Sequence, residues 1–214
     1  MKTIRKNHLL AINEEFYSVQ GEGLHTGIPM YFVRLQGCTV GCYFCDTKYT
    51  WRPRRQETNE DDIVARAVRS NAKWMCVTGG EPYEQNLTIL TTLAKEAGLH
   101  TQVETSGTVD TYYPFDWITL SPKDLFSKKK TFPKMAERSS EIKVVVTKES
   151  DLDYYLTNYY EKYCRGNGND DSSRPLIVQL VDNDMSLVPN VIEKIRTREG
   201  VRLMMQQHKV MMLR

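Results

Sequence analysis

The sequence predicts an α/β fold with a mostly parallel sheet. Three observations carry that reading. Short β-branched apolar segments alternate with amphipathic ones, several of the apolar segments read as covered on both faces, and the unusual residues fall just after them. In a parallel sheet the C-terminal ends of the strands share one edge, where α/β folds build their sites. An open doubly wound sheet and a barrel-like sheet both satisfy the alternation.

"MYFVRLQ", Met30 to Gln36, reads as the first core strand. Asn59 then caps an amphipathic helix over "EDDIVARAVRSN", whose acidic first turn suits the helix dipole. "WMCVT" is a strand, and "NLTILTTLAKEAG" a helix stopped at Gly98. "HTQVET", "WITLS" and "IKVVVT" read as strands, "ESDLDYYLTNYYEKY" as a helix, "LIVQLV" as a strand, "LVPNVIEKIRTREG" as a helix and "VRLMM" as a last strand. "RGNGNDDSSRP", Arg165 to Pro175, reads as an exposed loop, and the chain after it is too short for a separate core. One domain over residues 1–214 follows.

Composition narrows the class. Hydrophobic residues make up 40% of the 214 and charged residues 26%, ordinary for a globular protein. A net charge of +2 gives no electrostatic argument for nucleic acid. The clusters Arg52, Arg54, Arg55 and Lys128 to Lys130 read as solvated loops. The N-terminus lacks the apolar stretch of a signal peptide, and no apolar run reaches membrane-spanning length. A cytoplasmic, reducing compartment is the expectation, where clustered cysteines point to metal or redox chemistry.

The five cysteines are unevenly placed: Cys76 and Cys164 stand alone and read as buried thiols. Cys38, Cys42 and Cys45 form C-x3-C-x2-C in the loop after the first core strand. Structural zinc takes four ligands, usually as two separated pairs, and no second pair exists here. Iron–sulfur clusters are held by thiolates, and three thiolates on a cubane leave one iron open for a chelating small molecule. The later strands are followed by "TGGEP", "ETSGT", "SPKD", "DND" and "QQHK". Gly79 and Gly80 allow close backbone approach to something bound, or form a plain tight turn. Arg34 lies among apolar residues of its strand, on the face opposite Tyr31, Val33 and Leu35, and so needs a partner. A substrate carboxylate and an internal glutamate both qualify.

At these residues the sequence resembles the radical S-adenosylmethionine (SAM) superfamily, through the cysteine triplet with Phe44 before its last member and through "TGGEP". Within it, "FYSVQGEGLHTGIPMYFVRLQGCTVGCYFCDTKYTW", "VTGGEP", "VETSGT", "SPK", "EIKVVV" and "QQHK" are similar, in order, to the 7-carboxy-7-deazaguanine synthase family. The likeness is thin between residues 128 and 138 and between 155 and 174. It implies a modified, partial (β/α) barrel of the radical SAM type. It also implies a carbon–nitrogen lyase that contracts 6-carboxy-5,6,7,8-tetrahydropterin to 7-carboxy-7-deazaguanine and releases ammonia, in the 7-deazapurine (queuosine-type) pathway. A [4Fe–4S] cluster, SAM, Mg2+, a homodimer and an electron donor such as flavodoxin come with it.

Carried over residue by residue, Cys38, Cys42 and Cys45 would ligate the cluster, and Phe44, Cys45 and Asp46 would line SAM. Gly80, Ser121, Pro122, Lys123 and Gln179, Leu180, Val181, Asp182 would complete the SAM site, although the family often has Gln-Pro where Gln179-Leu180 stands. Thr47 would be the protein ligand to Mg2+, which keeps its other oxygens from water and substrate. Val19, Gln20, Gly21, Arg34, Thr78, His208 and the terminal group of Arg214 would meet the pterin. "QQHK" departs from the usual "QTHK", and the tail "VMMLR" from the family's ends. Two other classes compete: a radical SAM activase that makes a glycyl radical on a partner enzyme, and a non-enzymatic zinc module. "QGEG" and "CDTKYTW" argue against the activase.

Overall fold

The computed structural model describes residues 9–52, 57–165 and 174–213. Its frame is a nine-stranded sheet. The strands are β1 (Leu9–Val19), β2 (Pro29–Leu35), β3 (Glu57–Asn59), β4 (Trp74–Gly79), β5 (His100–Thr105), β6 (Trp117–Leu120), β7 (Glu141–Val146), β8 (Leu176–Leu180) and β9 (Val201–Met204). Their spatial order is β3-β1-β2-β4-β5-β6-β7-β8-β9. From β2 to β9 every pair is parallel, while β1 is antiparallel to both β2 and β3.

Helices α1 (Glu60–Arg69), α2 (Thr88–Glu96), α3 (Pro133–Arg138), α4 (Glu149–Tyr155) and α5 (Val188–Ile195) fill the crossovers, and α6 (Gln207–Val210) follows β9. Asn59 caps α1 as the sequence suggests, its side chain accepting from the Asp61 amide at 3.1 Å. α4 runs on as a π-helix over Leu156–Cys164.

The core joins alternate strand residues to the helices. Val33, Val77, Val103, Leu120, Val144 and Val178 pack with Ile63 of α1, Leu90 of α2, Met135 of α3, Leu152 of α4 and Val191 of α5. The other strand face is different. Apart from a small apolar group of Met30, Phe32 and Cys76, it presents Arg34, Thr78, Gln102, Glu104, Thr119, Glu141, Lys143 and Gln179, following the two-residue strand period. So the strands are not apolar on both faces. Helices cover one face, and the polar face turns inward, as a partial barrel requires.

β1 has no counterpart among the sequence-derived strands. Glu14 and Glu15 interrupt its apolar pattern, and both are neutralised by neighbours. Glu14 takes Arg34 Nε at 2.8 Å, and Glu15 takes Arg66 Nη2 at 2.7 Å and the Tyr31 hydroxyl at 2.9 Å. Arg54, Arg55 and residues 166–173 of the Gly/Asn/Asp-rich segment lie outside the described residues. Among the described residues, no helix is long and apolar enough to cross a membrane.

Candidate active site

The loop after β2 carries the three clustered cysteines, and the glycines after β4 hold that loop in place. The Gly80 amide donates to Leu35 O and the Glu81 amide to Gly37 O, both at 3.0 Å. A Cβ on Gly80 would lie 1.8 Å from Gly37 O, so only glycine lets these two loops meet. Gly79 has φ +119°, a region that favours glycine. Glu81 is buried and ties the same loop to the end of β5, accepting from the Ser106 amide at 2.8 Å and the Thr105 hydroxyl at 2.5 Å. The close approach expected of the glycine pair is therefore made to the cysteine loop.

Behind these loops lies a cavity of about 260 Å³. Cys38, Cys42, Cys45, Phe44, Asp46 and Thr47 line it from the cysteine loop, Val19, Gln20, Gly21 and Arg34 from the β1–β2 side, and Thr78 from β4. Gly80, Ser121, Lys123, Gln179, Leu180, Val181, Asp182 and His208, all singled out in the sequence, line it as well. Pro122 is outside the lining; its carbonyl accepts from the buried Tyr155 hydroxyl at 3.2 Å. Arg214 lies outside the described residues. Arg34 has found the internal partner, Glu14, and its guanidinium also stands 5.7 Å over the Phe16 ring while the residue lines the cavity.

The cavity floor holds charged residues that sequence reasoning passed over. Lys143 is bonded to Glu22 and stands 3.3 Å from Glu104. Glu104 also accepts from Gln20 Nε2 at 2.9 Å and Thr78 Oγ1 at 3.5 Å. Glu22 accepts from Gln206 Nε2 at 2.7 Å. Burial works against charge on Glu22, but the charge and hydrogen bond of Lys143, helped by Gln206, hold its carboxyl down at about 2. Burial also disfavours the Lys143 ammonium, yet Glu104 and Glu22 push its pKa well above the ordinary lysine value. The signal was present: Glu104 and Lys143 are charged residues inside β-branched strands, the same anomaly that marked Arg34.

The donor set suits an iron–sulfur cluster. Burial pushes the Cys38 thiol up to about 11 and raises Cys42 as well, so a positively charged iron partner is what would draw out their thiolates. Among the described residues no group of three His, Cys, Asp or Glu is already gathered at metal-binding distance; the three thiols instead face one cavity from one loop. Gln179 supplies a separate sign of a ligand. It is buried at 1% exposure, lines the cavity, and its Nε2 has no hydrogen-bond partner among the described residues. Thr47 Oγ1 sits 3.4 Å from Cys45 Sγ, beside the cysteine triplet.

Comparisons with known proteins agree with this geometry. The 4Fe-4S single cluster domain family matches residues 19–144. The 7-carboxy-7-deazaguanine synthase of Buchnera aphidicola is 35% identical, over 95% of this chain and 98% of the relative. That of Escherichia coli K12 is 34% identical, over 92% and 96%. The crystal structure of QueE from Escherichia coli superposes with a TM-score of 0.77 at 32% identity, covering 92% of this chain and 93% of that one. Streptococcus suis SuiB, at 15% identity and a TM-score of 0.53, shares the fold alone.

Proposed function

This chain belongs to the 7-carboxy-7-deazaguanine synthase family, and from that membership we propose that it converts 6-carboxy-5,6,7,8-tetrahydropterin to 7-carboxy-7-deazaguanine with release of ammonia. The observation that carries the reading is a family match along nearly the whole chain, meeting a cavity that joins three clustered cysteines to a charged floor. The glycyl-radical activase reading has no comparable support.

Cys38, Cys42 and Cys45 would hold the cluster. The backbone at Gly80, Ser121 and Lys123, the segment Gln179 to Asp182, and Phe44 and Asp46 would hold SAM. Gln179 Nε2, without a partner among the described residues, supports that placement. A cluster and SAM bound there would supply one-electron, radical chemistry. The protein's own residues set what is abstracted and how the substrate lies.

Glu22, held ionised by Lys143, and Glu104, which stands 3.3 Å from the same ammonium, retain lone pairs for the N–H groups of a pyrimidine edge. Gln20 and the bare backbone of Gly21 extend that edge. Arg34 and Thr78 face the same space, with Arg34 the natural partner of the substrate carboxylate. His208 packs against Gly21, where a Cβ would come within 2.6 Å of the His208 backbone nitrogen, and so borders the pterin. Thr47 would add a hydroxyl to Mg2+, fixing the carboxylate end. The same reading takes residues 1–214 as one domain of a cytoplasmic homodimer, reduced by a donor such as flavodoxin.

Anaerobically reconstituted protein, given the carboxypterin, SAM, reductant and Mg2+, should yield 7-carboxy-7-deazaguanine by mass spectrometry. An intact cluster with no such product overturns the reading.

A further inference from the structure

The short segment after β9 touches both halves of the cavity. Towards the pterin side, the Gln207 amide donates to Gly21 O at 2.9 Å, Gln206 Nε2 donates to Glu22 at 2.7 Å, and His208 Nδ1 is 3.8 Å from the same carboxylate. Towards the SAM side, Lys209 Nζ stands 2.8 Å from Asp182 and 3.7 Å from Asp46. Asp182 and Asn183 both have positive φ, 48° and 57°, which costs free energy outside glycine. Reciprocal bonds hold that turn: Gln206 N to Asn183 Oδ1 at 2.9 Å, and Asn183 Nδ2 to Gln206 O at 3.3 Å. Four consecutive residues thus bind the Gly21–Glu22 loop, the turn after β8 and the cysteine loop to one another.

We propose that Gln206 to Lys209 form a strap coupling the two ligand sites, with Gln206 and Lys209 as positioning residues. The proposal rests on the function read above. The ties differ in kind. Those to Gly21 and Glu22 are backbone and shielded side-chain bonds. Those of Lys209 reach half-exposed and exposed carboxylates, at 50% and 79%, a setting in which an ion pair holds weakly. A strap firm at one end and loose at the other is ordered by whichever ligand arrives first. The second ligand then meets residues already in place and binds more tightly, and the coupling is reciprocal.

The test is calorimetric titration of SAM into cluster-loaded protein without reductant, with and without the carboxypterin. In the wild type, substrate should tighten SAM binding by about 10-fold, within the usual range of coupling between sites. Titrating the pterin with and without SAM should return the same factor. K209M should bind SAM alone within about 3-fold of wild type but show a coupling below about 2-fold, while K209R keeps most of it. Q206L should lose coupling in the same way. Equal SAM affinity with and without pterin in the wild type overturns the strap and leaves the functional reading standing, as does full coupling in K209M. Failure of either ligand to bind the wild-type protein overturns both.

Discussion

The ammonium of Lys143 is bonded to the carboxylate of Glu22, 121 residues away in the chain, and their side chains are only 5% and 14% exposed. The pair has a pH signature. Glu22 sits at about 2 in the fold against an ordinary 4.5. A depressed carboxylate contributes stability that is complete above the unfolded value and is lost as pH falls through the folded one. Lys143, shifted upward, contributes stability present below the ordinary 10.5 and lost only in strong alkali. Between pH 4.5 and 2, wild-type stability should therefore fall more steeply than that of E22Q. Urea unfolding across that range checks this, and parallel slopes for the two proteins would refute it.

Removing the lysine tests the floor from the other side. K143M leaves Glu22 and Glu104, largely shielded at 14% and 19% exposure, without their cation, and breaking a buried pair costs about 3–5 kcal/mol. For a chain of this size that lowers Tm by roughly 10 °C. Thermal unfolding of wild type and K143M gives the comparison; a change near zero would mean that water or neighbours carry the load. K143R, which restores the cation, should recover part of the loss.

Gly80 makes a narrower prediction. Its φ is not in the left-handed region, so the barrier to a side chain is contact alone: a Cβ 1.8 Å from Gly37 O and 3.3 Å from Cys38 Cβ. G80A must push the cysteine loop outward. Overpacking of this kind costs about 1–3 kcal/mol, and here the strain falls beside a cluster ligand. Iron and sulfide retained per chain after reconstitution should drop well below the wild-type level. G98A, strained by a φ of +74° but with nothing near its Cβ and far from the cysteine loop in sequence, should retain iron.

These residues also show how far the sequence could be read. The parallel core was legible because β2, β4, β5, β6, β7 and β8 are short segments rich in β-branched, aromatic or other apolar residues, separated by helical or turn-forming stretches. The rim was legible for the same reason, since parallel pairing sends every strand end to one edge. β1 was not, because its glutamates are neutralised by Arg34 and Arg66, which come from other elements. The polar floor was missed although Glu104 and Lys143, like Arg34, are charges inside core strands; the register is what brings them together on the inner face. The short α6 and the Lys209 contacts depend wholly on tertiary packing, which a four-residue segment cannot announce.

The cysteines separate the roles of position and of chemistry. Cys38, Cys42 and Cys45 all line the cavity, whereas Cys164 packs in the main core and Cys76 in a small apolar group with Met30 and Phe32. Burial raises the thiol pKa of Cys76 and Cys164, as it raises that of Cys38 and Cys42, so acidity alone does not distinguish a ligand. Shared access to one cavity does. C38A, C42A and C45A should each abolish the thiolate-to-iron absorption after anaerobic reconstitution. C76A and C164A should keep it at wild-type intensity while losing about 1 kcal/mol of stability to the small cavity left behind. A visible spectrum and an iron determination on all five variants decide the matter. Loss of iron in C76A at unchanged folding would move the cluster away from the loop after β2.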